Sequence, residues 1–153
     1  MSEIHQTFRG ELALPDLDAT ARLGAGIAQG LKAGDAIALW GELGAGKTTL
    51  ARAILKALGV AGDVPSPTFT LVQTYETTPR VAHFDLYRLK TAREMEELGF
   101  EDALADGAVL VEWPERAPEM LPPDSLHVRL RQEDGARNAR LTGPARWEGL
   151  MHV

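Results

Sequence analysis

Gly41, Gly46, Lys47 and Thr48 stand in the spacing G-x-x-x-x-G-K-[ST] within GELGAGKTT, residues 41–49. That is the pattern of a loop that wraps phosphates. Glycines let the backbone curl so that several N–H groups converge on the phosphates, and the helix that follows turns its positive N-terminal end toward the same charge. Lys47 would bridge the β- and γ-phosphates, the Thr48 hydroxyl would ligate Mg²⁺, and Thr49 is placed to touch the α-phosphate. Glu42, Leu43, Gly44 and Ala45 complete the loop and share its nucleotide-binding assignment. A chance glycine-rich turn would match the same pattern. The apolar strand before the loop and the helix after it decide for phosphate binding.

A triphosphate site also needs a carboxylate near the metal and a group that orients the nucleophile. Two acidic residues end apolar runs. Glu112 follows Ala108 to Val111, the pattern of a Walker B strand, and Asp85 follows His83-Phe84. Either alone reads as a solvated surface carboxylate; beside a phosphate loop, both become candidates for metal binding and catalysis. Within SPTF, Ser66 to Phe69, the Thr68 hydroxyl or a main-chain carbonyl could reach Mg²⁺ and the γ-phosphate as a switch, and an ordinary proline-stiffened turn explains the same residues equally well. His5, His83, His127 and His152 lack metal-ligand spacing, so no zinc is expected; only His83 lies near the presumed site.

These groups must be held by strands and helices, and the hydrophobic patterning supplies them in order. Ile4 to Leu14 reads as an edge strand ended by Pro15, and Asp16 or Asp18 caps a helix toward Lys32 that Gly24, Gly26 and Gly30 interrupt. Ala36 to Trp40 is a buried parallel strand feeding the loop, and Lys47 to Leu58 is a helix ended by Gly59. Thr70 to Tyr75 and Val81 to Leu86 form a hairpin across TTPR. Thr91, with Glu94 three residues on, opens a helix to about Leu98, and a second covers Phe100 to Ala105. Ala108 to Trp113 contains another buried strand, followed by a proline-rich connection. Ser125 to Arg131 and Ala139 to Leu141 pair across the turn residues EDGARN, and the tail from Pro144 is one helical turn or frayed. Neither a repeat nor a dividing linker is visible, so residues 1–153 are expected to form one domain.

Composition narrows the function. The chain has 153 residues, net charge −6 and no cysteine. Acidity argues against strong autonomous binding to nucleic acid, which rests on many cations neutralising phosphates. Lack of cysteine removes disulfides, thiolate zinc sites and cysteine nucleophiles. No basic-then-apolar leader and no apolar run of about 20 residues is present, so a cytoplasmic protein without a membrane span is expected.

Four segments in order, GELGAGKTT, SPTF, HFDLYR (His83 to Arg88) and VEWPER (Val111 to Arg116), resemble the TsaE family, also called YjeE, of small bacterial P-loop ATPases. The resemblance covers about residues 16–131 and includes LGFED at Leu98 to Asp102. It implies an α/β, P-loop NTPase-like three-layer fold with a mostly parallel central sheet plus antiparallel hairpins. It further implies binding of ATP/ADP and Mg²⁺, partnership with the TsaD and TsaB proteins, and tRNA contact only indirectly, through that complex. ATP hydrolysis would then support formation of threonylcarbamoyl-adenosine on tRNA, at the adenosine beside the anticodon. Carried over, Lys47, Asp85 and Glu112 are catalytic; Thr48, Asp85 and Glu112 serve the metal; Thr68 is the switch threonine; and Thr20 lies near the base. Tyr87, Arg88 and Trp113 fall in the same motifs, with Arg88 and Trp113 read as partner or switch residues. Glu42 stands where the family commonly has Asp, and Trp40 is bulkier than usual.

Arg129, Arg131, Arg137 and Arg140 give the last hairpin a basic excess, read as charges guarding an edge strand or as a face for tRNA, with the edge reading favoured. Competing functions are a small-molecule kinase and a non-hydrolysing nucleotide-dependent scaffold. A kinase needs an arginine lid and an acceptor pocket that the chain after Glu112 does not offer. A GTPase needs an N-K-x-D stretch, which is lacking. So small a chain holds few groups to orient water, so hydrolysis alone should be slow and raised by partners.

Overall fold

The computed structural model describes residues 7–65, 71–91 and 93–153. β1 (Thr7–Leu14) leads to α1 (Leu17–Gly30), and Asp16, rather than Asp18, is its N-cap, accepting from the Ala19 amide at 2.8 Å. β2 (Ala36–Trp40) feeds the glycine loop and α2 (Lys47–Ala57). β3 (Val72–Tyr75) and β4 (Val81–Asp85) form the expected antiparallel hairpin. α3 (Arg93–Glu97) starts two residues after Thr91, whose amide the Glu94 carboxylate accepts at 3.0 Å. α4 (Phe100–Asp106), β5 (Ala108–Glu112), β6 (Leu126–Glu133) and β7 (Ala136–Pro144) follow, with 3-10 helices at Pro114–Arg116, Pro118–Met120 and Ala145–His152.

The strands form one seven-stranded sheet in the order β1-β7-β6-β2-β5-β4-β3. β2 runs parallel to β5 and β6, and β4 runs parallel to β5, so the four central strands are parallel; β1, β7 and β3 add antiparallel pairs at either side. Alternation across the pleat splits the apolar residues between two faces. Ile37, Leu39 and Leu110 join the cluster containing Leu23 and Ile27 of α1 and Leu50 and Ile54 of α2. Ala36, Val109 and Val111 face the other way, with Phe84, Met95 of α3 and Phe100 of α4. The result is the expected three-layer α/β fold. Among the described residues no helix is long and apolar enough to cross a membrane.

The glycines of α1 do not break it, because they sit where helices must approach closely. A Cβ on Gly24 would lie 2.6 Å from Ala53 Cβ of α2, and one on Gly30 would lie 2.8 Å from the Trp147 ring. The tail is accordingly neither frayed nor one turn: its 3-10 helix buries Trp147 and Leu150 against the α1 side of the sheet. The C-terminal hairpin also differs from expectation. Its turn is only Asp134-Gly135, both with positive φ (51° and 78°), so pairing begins at Glu133↔Ala136 and places Arg137 in a strand. That hairpin is not an edge, because β1 covers β7; the edge-guarding reading of its arginines is therefore wrong.

His127 of β6 accepts a hydrogen bond at Nδ1 from Trp40 Nε1 at 3.0 Å. Burial, and secondarily Arg129, lowers its pKa below the ordinary 6.5. Folding thus favours the neutral ring: this stabilisation is complete above 6.5 and is lost as pH falls through the lowered folded value. Urea unfolding on either side of 6.5 should show a smaller loss on acidification for His127→Gln than for the wild type; equal losses would place the acid sensitivity elsewhere.

Candidate functional site

Parallel pairing brings the carboxyl ends of β2, β5 and β4 to one side of the sheet, where open α/β sheets bind ligands. Glu112 is paired with Leu39 of β2 and with Asp85 of β4, so the two carboxylates end adjacent strands in register. The glycine loop leaves β2 at the same edge. Gly41 has φ 153°, and a Cβ there would lie 2.8 Å from the Leu130 carbonyl oxygen, so only glycine lets the loop pass β6. Gly46, at φ 106°, turns the chain into α2, whose N-terminus has no side-chain cap. Its first-turn N–H groups therefore remain available to an anion.

Lys47 folds back over the loop and donates from Nζ to the Gly41 and Glu42 carbonyls at 2.5 and 3.0 Å. The same ammonium lies 4.1 Å from the centre of the Trp113 ring. Burial lowers its pKa, opposed by the charges of Glu112, Glu115, Asp85 and Glu42. Thr48 Oγ1 donates to Glu112 Oε1 at 2.8 Å, while His83 Nε2 meets Glu112 Oε2 at 2.7 Å. Both His83 and Glu112 are buried, at 0% and 2% exposure. Asp85, also buried, accepts from the Tyr87 amide at 3.0 Å. Trp113 takes a left-handed backbone (φ 59°), unusual for a bulky side chain, and its ring lies 4.9 Å from that of Tyr87.

Gly44, Gly46, Lys47, Thr48, Asp85 and Glu112 line a cavity of about 430 Å³. Leu43, Thr49, Tyr87 and Trp113 also line it. Ala45 is buried beneath the loop. Thr20 is not on this wall; it lies in a second groove, between α1 and α2, which shares Thr49 with the first. Arg88 is exposed and is absent from the cavity lining. Thr68 and the rest of SPTF lie outside the described residues.

Two contributors escaped sequence reasoning. His83 was placed near the site without a partner, since nothing local signals a strand-to-strand bond to Glu112. Arg137 lines the cavity from β7, but its sequence neighbours read as a turn. The pleat offers a signal in retrospect: Arg137 continues the inward-facing row of Ala139 and Leu141.

A phosphate loop joining strand to helix at the carboxyl end of a parallel sheet places the chain among the P-loop α/β proteins. Within that class, residues 14–140 match the family described as Threonylcarbamoyl adenosine biosynthesis protein TsaE, and the chain belongs to it. It is 43% identical to a tRNA threonylcarbamoyladenosine biosynthesis protein TsaE of Rickettsia felis, over 85% of this chain and 76% of that one. The corresponding protein of Streptomyces coelicolor is 41% identical over 79% of this chain and 88% of its own. In three dimensions the chain resembles the crystal structure of YdiB from Bacillus subtilis, with a TM-score of 0.78, 27% identity, and coverage of 97% and 95%.

The His83–Glu112 contact is open to direct measurement. Replacing His83 with Leu leaves a buried carboxylate oxygen without its partner and should cost about 1–3 kcal/mol in urea unfolding. In a Glu112→Gln background the same replacement should cost less; an identical cost in both backgrounds would show that the two side chains do not interact.

Proposed function

We propose that the chain is a Mg²⁺-dependent ATPase that acts with the TsaD and TsaB proteins in forming threonylcarbamoyl-adenosine on tRNA. The supporting observation is the convergence of Lys47, Thr48 and Glu112 at an uncapped helix N-terminus. Membership of the TsaE family supports the tRNA-modifying role; the hydrolysis and the partners are our reading.

The donors present suit the phosphates of ATP or ADP. First-turn amides of α2 would receive phosphate oxygens, and Lys47 would exchange its two loop carbonyls for the β- and γ-oxygens. Mg²⁺, bound at Thr48 with Asp85 and Glu112 in reach, would neutralise charge developing on the phosphates. Among the described residues no group of three or more His, Asp or Glu side chains forms a self-contained metal site.

Thr48 keeps its bond to Glu112, which fixes the hydroxyl's direction. Because Glu112 touches the expected metal ligand, we place it beside the metal as well as near the water that attacks the γ-phosphate. Asp85 of the neighbouring strand, anchored by the Tyr87 amide, would help hold the metal. Thr68 acts as the switch. Trp113, in contact with both Lys47 and Tyr87, reports the state of the loop, and exposed Arg88 serves a partner. Thr49 and Thr20, which line the groove between α1 and α2, would hold the base.

Hydrolysis measured with and without the TsaD–TsaB pair tests this reading. The wild type should turn over slowly alone and faster with the pair, with Lys47→Ala as blank. Glu112→Gln should retain ATP binding and lose turnover by about a hundredfold or more, as when a water-orienting or metal-side group is removed. Turnover indifferent to the pair would contradict the partnership, and unchanged turnover in Glu112→Gln would remove that carboxylate from the chemistry.

A further inference from the structure

The last hairpin carries four arginines, and three of them have local partners. Arg129 stacks 4.8 Å from the Trp40 ring centre, Arg131 pairs with Glu133 at 3.1 Å, and Arg140 pairs with Glu11 at 3.7 Å. Arg137 makes no ion pair with any described residue. It is half-buried, and it lines the phosphate-loop cavity. A Cβ built on Gly46 would lie 3.6 Å from its Nη1, so the guanidinium stands over the turn into α2.

The position follows from topology. β7 runs antiparallel to β6, which is parallel to β2, so β7 begins at the edge where β2 ends. The tight Asp134-Gly135 turn sets the register at Gln132↔Arg137. On its other side, Arg137 pairs with Leu14 of β1, which locks the backbone between two strands. The side chain therefore rises from a rigid base.

We infer that Arg137 is a phosphate-binding residue of the nucleotide site, contributed by a strand far from the glycine loop in sequence. The inference rests on the nucleotide reading proposed above and extends it. Two carboxylates, Asp85 and Glu112, and two cations, Lys47 and Arg137, line the cavity. A divalent ion would offset the carboxylates and leave both cations to the phosphates. A guanidinium suits this place because its planar fork binds two phosphate oxygens at once and it carries its charge at any working pH. Lys47 would meet the phosphates from the loop side and Arg137 from the β7 side.

Calorimetric titration with MgATP and MgADP tests the assignment on the full chain, using wild type, Arg137→Ala, Arg137→Gln and Arg137→Lys. Without nucleotide, all four should melt together. Arg137→Ala and Arg137→Gln should bind MgATP about tenfold or more weakly, as for one lost charge-assisted contact, with the gap narrowing at high salt. Arg137→Lys should recover part of the loss, keeping the charge without the fork. Arg137→Gln, similar in length, replaces the alanine variant should that one disturb the strand. Wild-type affinity in the uncharged variants would overturn the inference while leaving the nucleotide reading intact, even if they lost partner stimulation, which would make Arg137 a docking residue. A wild type that binds neither nucleotide would overturn both.

Discussion

The buried Glu112 carboxylate, held between the Thr48 hydroxyl and the His83 imidazole, ties together the elements on which the site depends. A carboxylate removed from water must have its oxygens satisfied, since an unpaired one is costly in a medium of low dielectric. Here one oxygen fixes the start of α2 and the other fixes β4. The phosphate loop, the central strand and its neighbour thus share one buried polar anchor.

That anchor explains why the sheet is built as it is. Parallel β2, β5 and β4 send their carboxyl ends to a common edge, and register pairing sets Glu112 beside Asp85. Helices pack on both faces of the central strands, and the glycine loop curls at the edge where those strands end. Close approaches at Gly24 and Gly30 bring α1 onto α2 and onto the C-terminal 3-10 helix, making these glycines part of the packing. The antiparallel additions matter as well: β7 is bracketed by β1 and β6, and its first residues reach the same edge.

Much of this could be read along the chain because it is local. The glycine loop, a cap at Asp16 or Asp18, the bond from Thr91 to Glu94 and the apolar runs ending at Asp85 and Glu112 depend on residues a few positions apart. What the sequence left open depends on pairing between distant strands. The partner of His83 lies 29 residues away, across β4 and β5. Arg137 reads as a turn residue in EDGARN because Asp-Gly marks a turn but does not reveal how soon pairing resumes. The burial of Trp147 and Leu150 depends on a groove beside α1 that exists only after the chain has folded.

The central claim is that this edge of the sheet holds the phosphates of a nucleotide through Lys47. Isothermal titration of the protein with MgATP, in parallel with Lys47→Ala, tests it most directly. Saturable binding of one nucleotide per chain, lost or severely weakened in Lys47→Ala, is the predicted result. Equal binding by both proteins, or binding by neither, would contradict it.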